Sequence, residues 1–372
     1  LKIKLIFMNK KIKAFIAIGG TGGHVFPGYN LALHLVEKNY DVELISDQRG
    51  SKYLKNINNF TINIIPSSPL KNKNILTKFL SLILIFYSIV KSIILLISKR
   101  PKIIFGMGGY ASFPICIAAS ILKIKFITYE NNLIIGKANK YLLPFCEKMF
   151  VSRKEIEGIN EKYNKKIVEI GNIIKKEIIE FSKKNIERNK IKKLSVLVLG
   201  GSQAAKVFAE TLPIIFKKCS SFGIPLKIYQ HCLESQNDNL KLFYEKNGIE
   251  FEIFNFSNNL LHFFSKVNFA ITRSGSSMLA ELSNCNIPFV SVPLPSSADN
   301  HQLKNALYYQ KKNFAFLIEE KDLNDKLLYL IKEIYEDSSK LEKIIKNLSQ
   351  YSDIKVYENI NQELEKIVDA KN

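Results

Sequence analysis

The chain has 372 residues, 47% of them hydrophobic, which excludes a disordered protein and passes the ~250–300 residues at which a single core stops growing, so two domains are expected. Its 54 Lys and Arg against 34 Asp and Glu give a formal net charge of +20, a surplus that suits nucleic acid, an anionic membrane or an acidic substrate. No zinc knuckle, RNA-recognition signature or basic zipper is present, so no nucleic-acid partner is expected.

The opening stretch LKIKLIFMNKK is too short in its apolar part to read as a signal peptide, and Met8, directly before the first strand, stands as an alternative start to Leu1. A strand is predicted at about 13–18, then the glycine-rich turn Gly19–Gly23 and a helix from about Pro27. Further strands are predicted near 41–45, 61–65, 102–106 and 125–129.

Between them, 74–99 is the most apolar segment. Its polar residues recur at spacings of three, four and seven, which predicts a helix with one narrow polar stripe. A membrane span needs about 20 apolar residues, and Lys91 would lie inside any such span, so an amphipathic or largely buried helix is expected. Packing on the first sheet is expected to account for most of its Leu and Ile. Its beginning, around Ile75, Leu76, Phe79 and Leu80, is expected to be exposed as an interfacial anchor. Lys71, Lys73, Lys78, Lys91, Lys99, Arg100 and Lys102 flank it and would favour an anionic membrane surface.

Residues 171–193 are rich in Lys, Glu and Asn and poor in strand signal, which places a boundary near 170 and divides the chain into 1–170 and 171–372. The same grammar then restarts: a strand at 194–199, Gly200–Gly201, and a helix from about Gln203. Strands follow near 226–230, 249–253, 267–271, 287–292 and 314–318, and from about 322 the chain reads as helix. Alternating strand and helix predict an α/β chain of two Rossmann-like domains facing a central cleft, with the last helices crossing back to the first domain. Cys116, Cys146, Cys219, Cys232 and Cys285 form no C-x-x-C pair and read as buried thiols in a reducing compartment.

Five motifs carry chemistry. Gly19-Gly20-Thr21-Gly22-Gly23-His24-Val25-Phe26-Pro27-Gly28 brings backbone amides and a helix N-terminus to a strand end, where an anion or a sugar oxygen could sit. It is neither a dinucleotide fingerprint nor a Walker loop. His24 at a helix start should be neutral near pH 7 and able to accept a proton. Gly106-Met107-Gly108-Gly109-Tyr110 is a second strand-end turn with a phenol just beyond it. Gly200-Gly201-Ser202-Gln203 opens a helix suited to a diphosphate. Arg273-Ser274-Gly275 opens another, with Glu281 about a turn and a half inside it, where a carboxylate can accept from both hydroxyls of a ribose. Asp299-Asn300-His301-Gln302 offers amide side chains for sugar hydroxyls.

In this order and spacing the five motifs resemble the MurG family of N-acetylglucosaminyltransferases, whose fold is GT-B. The resemblance implies UDP-GlcNAc as donor and lipid I as acceptor. It implies Ser202 on the diphosphate, Ser257 on the uracil through its backbone, Glu281 on the ribose, and Asn132 and Gln302 on the GlcNAc. Thr21, Gly22 and Gly23 would face the donor across the cleft, and Tyr110 would lie on the acceptor side. The family has His, Arg and Gly where this chain has Tyr129, Lys175 and Ala204, and Lys175 stands at a substrate-binding position; a lysine lacks the forked contacts of an arginine. The reaction implied is an inverting displacement at C1 of GlcNAc by the C4 hydroxyl of the lipid-linked muramoyl sugar, with His24 as base. No D-x-D motif occurs, so neither metal nor cofactor is expected. The resemblance further implies a peripheral enzyme on the cytoplasmic face of the bacterial inner membrane, with cell-wall synthesis and division proteins as partners. A transferase acting on a diacylglycerol lipid, a nicotinamide-dependent oxidoreductase and a non-catalytic UDP-sugar or membrane-surface binding module are the alternative readings.

Overall fold

The computed structural model describes residues 11–55, 58–67, 74–184, 193–201, 206–255 and 260–368, the side chains of Ile75 and Leu76 excepted. The first half runs β1 (Ile12–Ala17), α1 (Gly22–Glu37), β2 (Tyr40–Ser46), β3 (Thr61–Ile64), α2 (Ile75–Lys99), β4 (Ile103–Gly106), α3 (Gly109–Ile121), β5 (Phe126–Glu130), α4 (Lys137–Leu142), β6 (Lys148–Val151) and β7 (Ile167–Glu169). After α5 (Lys176–Ser182), the second half runs β8 (Leu194–Leu199), α6 (Lys206–Ser221), β9 (Leu226–His231), α7 (Asn237–Lys246), β10 (Glu250–Phe254), α8 (Leu261–Phe264), β11 (Phe269–Arg273), α9 (Ser276–Asn284), β12 (Phe289–Val292), α10 (His301–Lys311) and β13 (Phe316–Leu317). It closes with α11 (Leu323–Glu336), α12 (Ser339–Leu348) and α13 (Val356–Val368).

Each half is one parallel sheet. The orders are β3-β2-β1-β4-β5-β6-β7 and β10-β9-β8-β11-β12-β13. Helices cover both faces, so the inner strands are buried on both sides and read as unbroken apolar runs such as Phe15-Ile16-Ala17 and Val196-Leu197-Val198. In both sheets the order reverses beside the first strand, between β1 and β4 and between β8 and β11. Ligands of doubly wound sheets sit in the crevice beyond the strand carboxyl ends at such a switch point. Here those ends carry Gly19–Gly23 and Gly106–Gly109 in one sheet, and Gly200–Gly201 and Ser274–Gly275 in the other.

The last two strands of the first sheet, β6 and β7, were not expected from sequence; four and three residues long, they are too short to show a period. The helix expected from about Pro27 starts at Gly22, so Pro27 lies inside α1 rather than in an opening position. All five cysteines are free and buried. At the far end, α13 lies against the first half and the connecting segment: Asn361 Oδ1 meets His34 Nε2 (2.8 Å) and Lys125 donates to the Ile367 carbonyl (2.9 Å), while Tyr357 donates to the carbonyl of Ile174 in the connector (2.6 Å).

Helix α2 departs from the expectation of a largely core-facing helix. Its inward side is the polar stripe: Ser81, Ser88 and Ser92 are buried, while Phe79, Phe86 and Ile94 are 59%, 70% and 64% exposed. Leu80, Leu82, Ile83, Tyr87 and Ile97 are also exposed, so most of the apolar residues with described side chains face outward. The inversion is physically sound because each buried hydroxyl has a partner. Ser81 donates to the Thr77 carbonyl, Ser92 to that of Ser88, and Ser88 to those of Leu84 and Pro66. Serine bonds back to the preceding turn in this way without a cross-helix partner. Residues Thr77–Lys99 form a helix long and apolar enough to cross a membrane, with a mean hydropathy of 2.5.

Candidate active site

The turn after β1 is built by Asp47, at the end of β2. Its buried carboxylate accepts from the amides of Gly20 (2.9 Å) and Gly50 (2.8 Å), from Ser67 Oγ (3.0 Å) and from Arg49 Nε (3.2 Å). Burial opposes its ionisation, but those donors outweigh it and hold its pKa below the ordinary value. The turn is thus fixed from behind, leaving Thr21 and Gly23 exposed and Gly22 buried.

Pro27 frees a carbonyl at the start of α1. Lacking an N–H, it cannot donate to the carbonyl of Gly23 four residues back. That carbonyl instead accepts from Asn131 Nδ2 (3.1 Å), just past β5. Asn131 also reaches the second half, where its Nδ2 meets Ser277 Oγ (3.4 Å) and its carbonyl accepts from Ser276 Oγ. The His24 turn therefore lies against the N-terminus of α9 through one asparagine.

The His24 ring rests on the turn after β4. A Cβ on Gly108 would stand 3.1 Å from ring atoms Cε1 and Nδ1, and one on Gly109 3.1 Å from Cδ2; both residues also have φ above +60°. Glycine is thus required twice by backbone angle and by the ring's approach. Burial is the main reason the His24 pKa lies below 6.5. Glu130 acts against it, the His301 ring across the cleft adds to it, and the Met107 carbonyl, accepting from the ring, acts against it. The ring is neutral at pH 7, with one nitrogen donating and the other open to a proton.

Glu130 organises the end of β5. Its carboxylate accepts from the amides of Asn132 (3.1 Å) and Gly136 (2.9 Å) and from the side chains of Asn132 (2.9 Å) and Asn139 (3.0 Å). Asn132 Oδ1 in turn accepts from Asn305 Nδ2 (3.1 Å) on α10. Asn305 also takes the Leu133 amide (3.0 Å) and donates to the Ser274 carbonyl (3.1 Å). Gln302, one turn before Asn305, uses its Oε1 to accept from the amides of Ser274 (3.2 Å) and Leu294 (3.0 Å), which ties together the ends of β11 and β12.

Glu281 lies in the middle of α9, half-buried. Burial raises its pKa to about 7, and Lys175, the N-cap residue of α5, pulls it down. Tyr110, in the first turn of α3, is half-buried. Ser202 and Ser257, along with Ala204, lie outside the described residues. The structure thus brings His24, Gly23, Asn132, Gln302 and their neighbours to one cleft, and sets Glu281 and Lys175 on helices packed together beside it. Sequence reasoning missed Asn131, Asn305 and Asp47. Only Asn305 carried a signal, its position one helical turn after Gln302.

Comparison with known proteins identifies the family. Residues 14–151 match the glycosyltransferase family 28 N-terminal domain, and residues 195–358 its C-terminal domain. A UDP-N-acetylglucosamine–N-acetylmuramyl-(pentapeptide) pyrophosphoryl-undecaprenol N-acetylglucosamine transferase of Pelagibacter ubique is 34% identical, over 97% of this chain and 99% of its own. A protein of the same name from Rickettsia felis is 33% identical over 88% of this chain and 93% of its own. Among solved structures, Acinetobacter baumannii MurG superposes with a TM-score of 0.75 at 20% identity, covering 95% of this chain and 99% of that one. A putative UDP-N-acetylglucosamine 2-epimerase from Listeria monocytogenes reaches 0.64 at 13% identity, covering 98% of both. The fold is GT-B. The chain belongs to glycosyltransferase family 28, within its MurG group of UDP-GlcNAc-dependent transferases.

Proposed function

We propose that this chain transfers N-acetylglucosamine from UDP-GlcNAc to the C4 hydroxyl of undecaprenyl-diphospho-MurNAc-pentapeptide, lipid I, forming lipid II. The observation that carries the reading is the 34% identity, along nearly the whole chain, to a transferase named for that reaction. The domains divide at about residue 170. The first takes the acceptor at the His24 and Tyr110 turns. The second takes the donor, with Ser202 on the diphosphate, Ser257 on the uracil and Glu281 on the ribose. Lys175 stands near Glu281 and the donor, and Asn132, Gln302 and the Thr21–Gly23 turn meet the sugar.

In the reaction, the acceptor O4 attacks C1 of GlcNAc as the bond from C1 to the diphosphate breaks, inverting the centre. The O4 proton passes to the open nitrogen of His24, whose lowered pKa keeps it unprotonated at neutral pH. UDP leaves with its new charge directed at backbone amides of the Gly200–Gly201 turn and Ser202. Closure of the two domains excludes water that would hydrolyse the donor.

The acceptor's lipid tail requires the enzyme to work at a membrane surface, here proposed to be the cytoplasmic face of the bacterial inner membrane. The outward face of α2 supports peripheral docking there, since Phe79, Phe86 and Ile94 project away from the fold and Lys78, Lys91, Lys99 and Arg100 lie exposed on the same helix and its end. Proteins of cell-wall synthesis and division would be neighbours at that surface.

The test is product analysis with UDP-GlcNAc and a lipid I analogue. A disaccharide product together with UDP is expected. Transfer to diacylglycerol and not to the lipid I analogue, or UDP-sugar binding with no product, would replace this reading.

A further inference from the structure

The two halves are joined by a buried polar cluster outside every sequence motif. Its centre is Asp353, between α12 and α13, with a fully buried side chain. Oδ1 accepts from Arg153 Nη1 (2.8 Å), just after β6 in the first half, and from the amide of Asn172 (2.9 Å) in the connecting segment. Oδ2 accepts from Nδ2 of Asn284 (2.8 Å), the last residue of α9. The backbone amide of Asp353 donates back to Asn284 Oδ1 (2.8 Å). One carboxylate thus bonds the first half, the connector and the second half.

The surroundings leave it little freedom. The Arg153 guanidinium lies 4.3 Å from the centroid of the Tyr351 ring. The Tyr351 hydroxyl accepts from Asn172 Nδ2 (2.9 Å) and pairs with that of Tyr309 (2.8 Å). A Cβ on Gly171, whose φ is +97°, would stand 2.8 Å from Asp353 Oδ1. On the other side of the connector, Tyr129 accepts from the Ile173 amide (3.1 Å).

Helix α9 is therefore held at both ends by groups outside its own sheet. Ser276 at its start bonds Asn131 and Asn172, and Asn284 at its end bonds Asp353. Glu281 lies between these fixed points. A buried carboxylate with three donors from three parts of the chain sets a discrete geometry, because removing its charge leaves Arg153 buried without its counter-ion.

We propose that Asp353 is a positioning residue for transfer: it fixes α9 and the second domain against the His24 turn of the first. It touches no substrate and acts through Asn284, Asn172 and Arg153. The proposal rests on the transferase reading for its activity arm alone.

The test uses the full chain carrying Asp353→Asn, Asn284→Asp and both together. D353N sets two amide groups against each other; N284D sets two carboxylates against each other; the pair restores one donor facing one acceptor and keeps one carboxylate in the cluster, displaced from Arg153 by one side chain. Each single change is expected to lower kcat at least tenfold while the UDP-GlcNAc Kd stays within about threefold. The double variant is expected to recover part of the loss, at least about threefold above either single variant, because the 353–284 pair is restored while the Arg153 counter-ion is displaced. Because all five native cysteines are buried, spin labels at Lys140→Cys and Lys311→Cys, exposed on opposite halves, report the interdomain distance without any activity. That distance distribution should be narrow in the parent, broad in each single variant and narrow again in the double. Should D353N fail to fold, N284D reads the same contact. A folded single variant with unchanged kcat and an unchanged distance distribution would overturn the proposal. So would a loss of rate matched by an equal loss of UDP-GlcNAc affinity, or the absence of recovery in the double variant. If the parent shows no transfer at all, the transferase reading fails and the distance distributions still decide the role of Asp353.

Discussion

Glu281 offers the sharpest test of the donor site because its ionisation is costly in the empty protein. Its pKa rises from 4.5 to about 7 through burial, with Lys175 opposing the rise. Each pH unit of such a gap is worth about 1.4 kcal/mol, so ionising this carboxyl costs about 3 kcal/mol more here than in a water-exposed glutamate. If the ionised form accepts from both ribose hydroxyls, donor binding must drive off the proton. A carboxyl with a raised pKa holds its proton below about 7, so affinity should be full above pH 7 and fall as pH drops through it. Between pH 8 and pH 6 the ionised fraction of the empty site falls from about nine-tenths to about one-tenth, which weakens binding about tenfold. UDP-GlcNAc is the ligand to use, since its diphosphate is esterified at both ends and does not titrate in this window. Calorimetry in buffers of different protonation enthalpy should show proton release near pH 7, and Glu281→Gln should abolish both that release and the pH dependence. A flat affinity from pH 6 to 8 in the parent would refute the reasoning and place Glu281 outside the ribose contact. Folding runs the same way in pH but with the opposite consequence: the unfolded chain releases this proton at 4.5 and the folded one near 7, so this group removes stability as pH rises across that window.

Two further outcomes are expected from the geometry. His24→Ala should lower kcat about 100-fold while leaving the UDP-GlcNAc Kd nearly unchanged; because the parent His24 pKa lies below 6.5, the parent rate should hold at pH 7 and decline only on the acid side of 6.5, and a rate within a few-fold of the parent in the variant would assign the proton elsewhere. Replacing Phe79 and Phe86 by Ser removes two exposed rings from α2, each worth about 1.5–3 kcal/mol when fully buried, so co-sedimentation with anionic vesicles should fall at least tenfold and should already weaken for the parent as salt rises; binding by the parent that survives high salt and alkaline extraction would point to a span, and no parent binding would return the helix to an ordinary surface.

The architecture was legible because parallel strands buried on both faces must be continuous apolar runs, and the glycine turns at their ends punctuate them. The strands near Phe15, Ile104, Val196 and Ile271 announced themselves this way. What was hidden depended on partners far along the chain. Residues 148–151 become a strand on the edge that β5 offers, and 167–169 on the edge that this new strand offers in turn. Pro27 read as a helix opener because the rule for N-terminal proline is local, whereas its effect here, releasing the Gly23 carbonyl, depends on Asn131 a hundred residues later. The polar stripe of α2 was visible as a period, but a period gives no direction. The usual expectation that serine faces water fails where every hydroxyl finds a carbonyl within its own helix or at Pro66.

The site residues divide along the same line. Glycine and histidine at a strand end mark themselves, since their backbone freedom and their titration have few other uses there. Amide side chains do not, because an asparagine that meets a sugar and one that joins two domains present the same donor and acceptor. In the structure Asn132 and Gln302 are both bonded within the protein, the first to Asn305 and Glu130, the second to the amides of Ser274 and Leu294. Among the described residues Gln302 Nε2 has no hydrogen-bond partner while its Oε1 holds two strand ends, so a hydroxyl meeting it would require no rearrangement. Asn132 Oδ1 accepts from Asn305 with one lone pair and has a second for another donor. A hydroxyl there would share an acceptor with the bond that joins the halves, whereas among the described residues the Gln302 side chain bonds only to amides of the second half.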